Sequence, residues 1–164
     1  MEEPQNLRSL FDAAKAENTS LGSRPDTTTD RYRSDVDSTI ANFAECQRLV
    51  SLLSLFSSNE SLEDIATADL QYLTVDYLLA DLLQRSYTAD REAILRRAFE
   101  QYEKFLARLD DYNLLSDSDR TLYERCAANP SAFSLTPSND AGTRREVKVN
   151  RLKEEKELKQ RLEV

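Results

Sequence analysis

One property of this sequence limits its fold more than any other: residues 26–129 contain neither glycine nor proline. These are the two residues that a helix interior tolerates least, so their absence over such a length favours long helices. The apolar residues of the stretch recur at steps of three and four, which is the period of an amphipathic helix. The sequence therefore predicts an all-α protein, built as an antiparallel array of six to seven helices joined by polar turns.

The predicted helices occupy most of the chain. Apolar spacing places them over residues 5–18, 31–56, 62–85, 89–112 and 118–126, and a last helix follows from about residue 143. The fourth helix carries one clear stripe, which consists of Leu95, Ala98, Tyr102, Phe105, Leu109 and Tyr112. Residues 18–30 and 129–142 contain both glycines and three of the four prolines, so they are predicted to be loops, the second of them long and flexible.

The second and third helices are expected to lie deepest. The second should begin near Thr29 or Asp30, and its apolar stripe widens toward residue 56, which predicts burial by more than one neighbour at that end. A capping box of Ser61 and Asp64 marks the predicted start of the third helix. Apolar residues cover most of the circumference of that helix, which is typical of a central helix.

Length and composition predict a single domain over residues 1–164. The hydrophobic content of 40% is enough for one core, and the 32% of charged residues indicates a folded protein that faces water. Cys46 and Cys126 belong to no CxxC motif, so both are expected to be small buried hydrophobic residues. The N-terminus has no apolar leader and no stretch is long and apolar enough to span a bilayer, which predicts a cytoplasmic location, with the nucleus as a second one.

The usual signs of catalysis are missing. The sequence has no histidine, and neither glycine belongs to a phosphate-binding motif. Asp69 and Asp76 are seven residues apart and would share one face of the third helix, where paired carboxylates could serve acid–base chemistry. Such chemistry needs distinct environments around a substrate, so we interpret them as solvated or arginine-paired acids. We therefore expect no enzyme, no catalytic residue, no cofactor and no metal.

Charge is polarised along the chain. Residues 144–164 carry eight Lys or Arg and five Glu, a net charge of +3, which leaves −11 for residues 1–143 in a chain of net charge −8. Arg144, Arg145, Lys148 and Arg151 follow one another at steps of three and four, so they are predicted to form one cationic face. Further along, Glu155 precedes Lys159 by four residues, as Glu157 does Arg161, so the second half is predicted to be self-neutralised.

Three interpretations of the basic helix compete at this stage. It could close the helical array as a solvated or coiled-coil helix, or it could bind an acidic protein surface. Binding to nucleic acid or to an anionic membrane is disfavoured, because the rest of the chain is acidic and the helix has no aromatic anchor. We therefore expect neither a nucleic-acid nor a membrane partner.

Two blocks of the sequence resemble the two-A-phosphatase-associated protein family, called alpha-four in mammals. In the first, LSLFSSNESLEDIATADLQYLTVDYLLADLL at residues 53–83, a Leu-Phe-Ser-x-Asn-Glu segment leads into an acidic helix start. In the second, RREVKVNRLKEEKELKQRL at residues 144–162, a basic helix follows a variable loop. The two blocks cover about fifty residues and occur in the order that the family shows.

The resemblance implies a function and a site. It implies a tetratricopeptide-like helical domain that acts as a non-catalytic scaffold, binds and stabilises catalytic subunits of type 2A-class protein phosphatases, and is linked to TOR signalling. In the family, the contact depends on an Arg and a Lys separated by two residues and followed by an aliphatic residue, which Arg145, Lys148 and Val149 match. Arg144 allows a register shifted by one residue, and Arg151 continues the same face.

The resemblance also leaves alternatives. The family has a disordered acidic tail after its helical domain, and because residue 164 falls within a predicted helix we expect this sequence to lack that tail. The ubiquitin-interacting segment of the mammalian relative has no counterpart in DSTIANFAECQRLV, residues 37–50. The alternative function is a generic helical adaptor that binds peptides in a concave groove, with the basic helix only closing the fold. With either function, the chain is expected to be a monomer.

Overall fold

The computed structural model describes residues 6–136 and 139–163, which contain six α-helices, three short 3-10 segments and no strand. The α-helices are α1 (Leu7–Ser23), α2 (Asp30–Leu52), α3 (Val75–Leu83), α4 (Arg91–Asp111), α5 (Asp117–Ala128) and α6 (Ala141–Leu162). The all-α prediction and the predicted number of helices are confirmed. The chain forms two compact units, one ending at Leu114 and the other beginning at Leu115. A single domain over residues 1–164 stays a prediction.

The first unit is built from α1 to α4, packed in chain order as antiparallel neighbours. Its core draws on all four helices, and Phe11 of α1 contacts both Phe43 of α2 and Tyr72, with ring centroids 6.4 and 5.2 Å apart in edge-to-face geometry. In α3, four apolar side chains are completely buried, namely Leu79, Ala80, Leu82 and Leu83, so the prediction of a central segment is confirmed for residues 75–83, although Tyr77 of the predicted apolar set is exposed.

The first helix is longer than the sequence predicts. The predicted start, Gln5, lies outside the described residues, and α1 continues beyond the predicted end to Ser23, which makes the loop prediction wrong for residues 18–23. Leu21 lies two turns after Ala14 on the same face and is buried in the core, and this burial outweighs the low helix propensity of the polar residues around it. The hydroxyl of Thr19 also donates to the carbonyl oxygen of Lys15.

The second helix begins as predicted but ends four residues early. Thr29 is the N-cap and accepts a hydrogen bond from the backbone N–H of Tyr32. At the other end Ser54 adopts a left-handed conformation with φ of 51°, and the N–H of Leu55 donates to the carbonyl of Val50, which together form a Schellman motif. Leu52 and Leu53 are therefore exposed, and the predicted burial is wrong for these two residues. It is confirmed for Val50, which is buried, and Phe56 packs against both cores of the unit. Glycine usually marks such an ending, and Ser54 gave no such signal.

The predicted third helix is broken. The Ser61 and Asp64 capping box forms, and its hydrogen bonds lower the pKa of the Asp64 carboxyl, but it opens a 3-10 turn, Leu62–Asp64. A second 3-10 segment, Thr67–Thr74, precedes α3. The segment has to bury Ile65 against Tyr112 in a small second core, and the extended backbone at Ile65 redirects the chain between the two turns. Asp69 and Asp76 therefore do not share a face of one helix.

The fourth helix lies within two residues of its predicted bounds, with Asp90 as N-cap. Its buried face is rotated relative to the predicted stripe: Ala98 and Tyr112 are buried, whereas Leu95 is exposed and Gln101 is buried. The reason is that the face of α4 turned toward α3 carries Gln101 and Arg108, which are polar partners of buried groups in the core and are described below.

The second unit contains α5, a 3-10 turn at Pro130–Ala132, and α6. No residue of α5 is fully buried, and Cys126 is only half-buried, so the prediction of burial is confirmed for Cys46 and wrong for Cys126. Pro137 and Ser138, part of the predicted connection, and Val164 lie outside the described residues. No helix in the described ranges has the length and apolar content needed to cross a bilayer.

Candidate partner-binding site

The basic helix α6 starts on a strong cap. The carboxylate of Asp140 accepts hydrogen bonds from the backbone N–H and the hydroxyl of Thr143, at 2.8 and 2.7 Å. These bonds lower the pKa of Asp140, and its negative charge also interacts favourably with the positive end of the helix dipole. The cap fixes the first turn, and therefore the direction in which the following cationic side chains point.

The packing of α6 differs from that of every helix in the first unit. None of its described residues is buried, and Val147 alone among them is half-buried. Apolar side chains that would line a core elsewhere are exposed, including Val149 at 41%, Leu152 at 67% and Leu158 at 51%. The described part of the second unit therefore leaves the side chains of α6 available to a partner.

The four predicted site residues lie on one side of α6. At about 100° per residue, Arg144, Arg145, Lys148 and Arg151 fall within an arc of about 120°. Glu146 and Asn150 project from the opposite side. All four cationic side chains are exposed, and the eight residues from 144 to 151 carry a net charge of +3. The predicted cationic face is therefore present in the helix.

These cations have no acidic partner in the described part of the second unit, residues 115–136 and 139–163. In the second half of α6, by contrast, the ammonium of Lys159 lies 2.6 Å from the carboxylate of Glu155, the first of the two predicted pairs. The second predicted pair, Glu157 with Arg161, does not form in the described residues. Residues 152–163 nevertheless carry four cations and four Glu, so positive charge is balanced late in the helix and uncompensated early in it. An exposed cluster of unpaired cations attracts acidic groups and raises their rate of encounter.

A second cluster, missed by sequence reasoning, lies in the core of the first unit. Asp76 is only 1% exposed, and one carboxylate oxygen accepts a 2.6 Å hydrogen bond from the side-chain amide of Gln47. The other oxygen lies 3.0 Å from the guanidinium of Arg108, and Gln47 also donates to Gln101. Gln101 and Arg108 are seven residues apart on the apolar side of α4, and this spacing was the available signal.

The arrangement around Asp76 is structural. Its charge is balanced by the Arg108 guanidinium, and one of its oxygens accepts the hydrogen bond from Gln47, so it fits the predicted arginine-paired acid and not a general base. Asp69 is half-buried in the preceding 3-10 segment. No group of three His, Cys, Asp or Glu residues in the described ranges could hold a metal ion.

A groove of about 760 Å³ runs between α1 and α2 and is the feature that a peptide-binding adaptor would use. Its lining is almost entirely polar or charged. Arg24, which lies in it, is held by ion pairs with Asp26 and Asp35, which raise the pKa of the arginine. Peptide-binding grooves usually offer apolar pockets for anchor residues, so this groove fits that function poorly.

Comparison with known proteins identifies the chain's relatives. The sequence profile of the TAP42-like family matches residues 7–164. The PP2A regulatory subunit TAP46 of Arabidopsis thaliana is 32% identical over 120 residues, which are 73% of this chain and 27% of that protein. The type 2A phosphatase-associated protein 42 of Saccharomyces cerevisiae is 34% identical over 124 residues, covering 70% of this chain and 32% of that protein.

A human relative, immunoglobulin-binding protein 1 family member C, is 30% identical over 119 residues, covering 70% of this chain and 35% of that protein. The chain thus spans about a third of the length of the curated relatives it matches, or less. The resemblance carried by the two sequence blocks is confirmed, since the family profile extends over nearly the whole sequence. The chain belongs to the TAP42-like family.

Proposed function

We propose that this chain is a non-catalytic regulatory subunit that binds and stabilises the catalytic subunit of type 2A-class protein phosphatases. Two relatives are named as a PP2A regulatory subunit and as a phosphatase-associated protein, which supports this class of partner. The observation that carries the proposal is the unpaired cationic face of α6. The proposal includes the other expectations from the sequence: a monomer, a cytoplasmic location and a link to TOR signalling.

Within the site, Arg145 and Lys148 are the principal contacts, and Arg144 and Arg151 flank them. Each principal cation would form a charge-assisted hydrogen bond to an acidic group of the partner, worth about 1.5–3 kcal/mol when partly desolvated. Contacts of that size change affinity by one to two orders of magnitude each. Because the cations are exposed in the free protein, part of their effect is long-range attraction that salt screens.

A catalytic role is not part of the proposal. The sequence has no histidine, and the buried carboxylate of Asp76 is already paired with Arg108. The alternative, a peptide-binding adaptor, would use the groove between α1 and α2. The lining of that groove is charged and suits peptide binding poorly, whereas the cationic face of α6 suits an acidic surface of the phosphatase, so the phosphatase is the better-supported partner. The two functions use different helices, so variants separate them.

The test is a binding assay between the whole chain and a purified catalytic subunit. Reversal of both principal charges, Arg145→Glu with Lys148→Glu, is expected to abolish co-purification, because acidic groups on the partner would then face two carboxylates. The matched control is Lys153→Glu with Arg161→Glu, which changes the charge by the same amount on the side of α6 away from Arg145 and Lys148, and is expected to retain binding. Circular dichroism of both variants checks that helical content is unchanged.

Two results would count against the proposal. If the wild-type chain does not bind any type 2A catalytic subunit, the function is wrong. If the Arg145 and Lys148 variant binds as well as the control, these residues are not the contact. Loss of binding on charge reversal at Arg31 in the α1–α2 groove, with the α6 variant unaffected, would favour the adaptor.

A further inference from the structure

The exposed apolar residues of α6 are distributed unevenly around the helix. Val149 and Leu152 follow Arg145 at steps of four and seven, and Lys148 follows it at three. Positions i, i+3, i+4 and i+7 of a helix form one continuous patch over two turns, about 10 Å long. The same spacing is how a helix presents anchor residues to a groove in a partner.

Exposure distinguishes this patch from its neighbour in the alternative register. A patch that begins at Arg144 would contain Val147 as its apolar member, and Val147 is half-buried. The patch that begins at Arg145 contains Val149 and Leu152, which are 41% and 67% exposed. Only the second register presents two accessible apolar groups next to two cations, so it offers the more complete binding surface.

We propose that Val149 and Leu152 are the apolar half of a mixed contact, which seats in an apolar groove of the phosphatase catalytic subunit whose edge carries the acidic groups bound by Arg145 and Lys148. This inference rests on the proposed function and specifies the partner surface. The phosphatase is the expected partner of the apolar residues because they lie on the same patch as the two cations that are proposed to bind it. An apolar side chain that excludes water around a charged contact also strengthens that contact.

The two halves of the contact have different kinetic roles. Exposed cations act at a distance, so they increase the association rate and their effect falls as salt rises. Leu152 acts only after docking, because burial of apolar surface requires contact, so it slows dissociation. The complex is therefore expected to retain measurable affinity at salt concentrations that screen the cations.

The decisive variant is Leu152→Lys in the whole chain, measured by surface plasmon resonance against a purified catalytic subunit. Lysine has nearly the helix propensity of leucine and adds a further cation. A purely electrostatic site would bind this variant as tightly as wild type, or more tightly. The mixed contact predicts the opposite, a loss of affinity of about ten-fold or more that is mainly an increase in dissociation rate.

The matched control is Leu158→Lys. Leu158 is 51% exposed on the same helix, but it projects about 120° away from Leu152, so its replacement is expected to change affinity less than about two-fold. Val149→Ala is expected to weaken binding in the same sense as Leu152→Lys, by a smaller factor, because it removes less apolar surface.

Several outcomes would overturn the inference. If Leu152→Lys binds like wild type while reversal of Arg145 and Lys148 abolishes binding, the contact is electrostatic, and the proposed function survives without this addition. If the wild-type chain does not bind, the proposed function itself fails. If Leu152→Lys lowers the unfolding midpoint, or changes the oligomeric state in sedimentation without partner, then Leu152 is covered by this chain or by a second copy.

Discussion

The two units of the molecule use their arginines in opposite ways. In the first unit, most arginines are paired with acids within the unit, as in Arg24 with Asp26, Arg48 with Glu45, and Arg108 with Asp76. In the described part of the second unit, Arg144, Arg145 and Arg151 have no acidic partner. A cation that is already paired contributes to its own fold, whereas an unpaired exposed cation is available to a partner.

Apolar residues show the same contrast. Phe43 of α2 is completely buried and contacts Phe11, whereas Leu152 of α6 is 67% exposed. Helix formation in α6 therefore depends on its cap at Asp140 and on local side-chain pairs more than on burial. The comparison indicates that substitutions in the first unit should change stability, and those in α6 should change binding.

The largest effect on stability is expected from Phe43→Ala. It would leave a cavity in a core that is fully closed, at a cost of about 3–5 kcal/mol in the free energy of unfolding. Leu152→Ala, the matched change in α6, should alter that free energy by less than about 0.5 kcal/mol. Urea unfolding followed by circular dichroism measures both, and similar losses for the two variants would break the comparison.

A somewhat smaller effect is expected from Asp76→Ala. This change leaves the charge of Arg108 without its partner in a largely buried position, at a cost of about 3 kcal/mol. Replacing both members, Asp76→Leu with Arg108→Met, should recover part of that loss, because no unpaired charge remains. The measurement compares the free energies of unfolding of the double variant and of the two single variants. If the loss in the double variant equals the sum of the losses in the single variants, Asp76 and Arg108 are not coupled.

The smallest effect concerns acid stability. The hydrogen bonds from the Arg24 guanidinium lower the pKa of Asp26 from 3.8 to about 2. Because the folded state favours the ionised carboxylate, this contribution is present above about pH 4 and is lost as the pH falls toward 2. In urea unfolding, the stability difference between wild type and Asp26→Asn should shrink over that range. A difference independent of pH would show that the ion pair does not contribute.

Sequence patterns predicted the helices best where the structure depends only on residues that are close together in the chain. The predicted helix start near Thr29 and the capping box at Ser61 match the structure, because hydrogen bonds between neighbouring residues are encoded locally. The cationic face of α6 was equally predictable, since the spacing of charges on an exposed helix needs no tertiary information. Its role in binding stays a prediction that the proposed experiments test.

The errors in the helix assignment arose where distant residues decide the outcome. Burial of Leu21 carries α1 through a polar segment, and the left-handed Ser54 ends α2 without a glycine. Ile65 is buried in one cluster with Leu73 and Tyr112 at the break before α3. In each case a tertiary contact or an uncommon backbone conformation outweighed the local propensity on which sequence reasoning depends.

The sequence by itself determined the fold class, the capping box at Ser61, the charge polarity and the family, because all of these follow from residue type and spacing along the chain. Only the tertiary structure decided that Asp76 is paired with Arg108 and Gln47 in the core, and that Leu152 is left exposed beside the cations of α6. The reason is that burial and pairing depend on which helix lies opposite, and a residue's neighbours in space are set by packing.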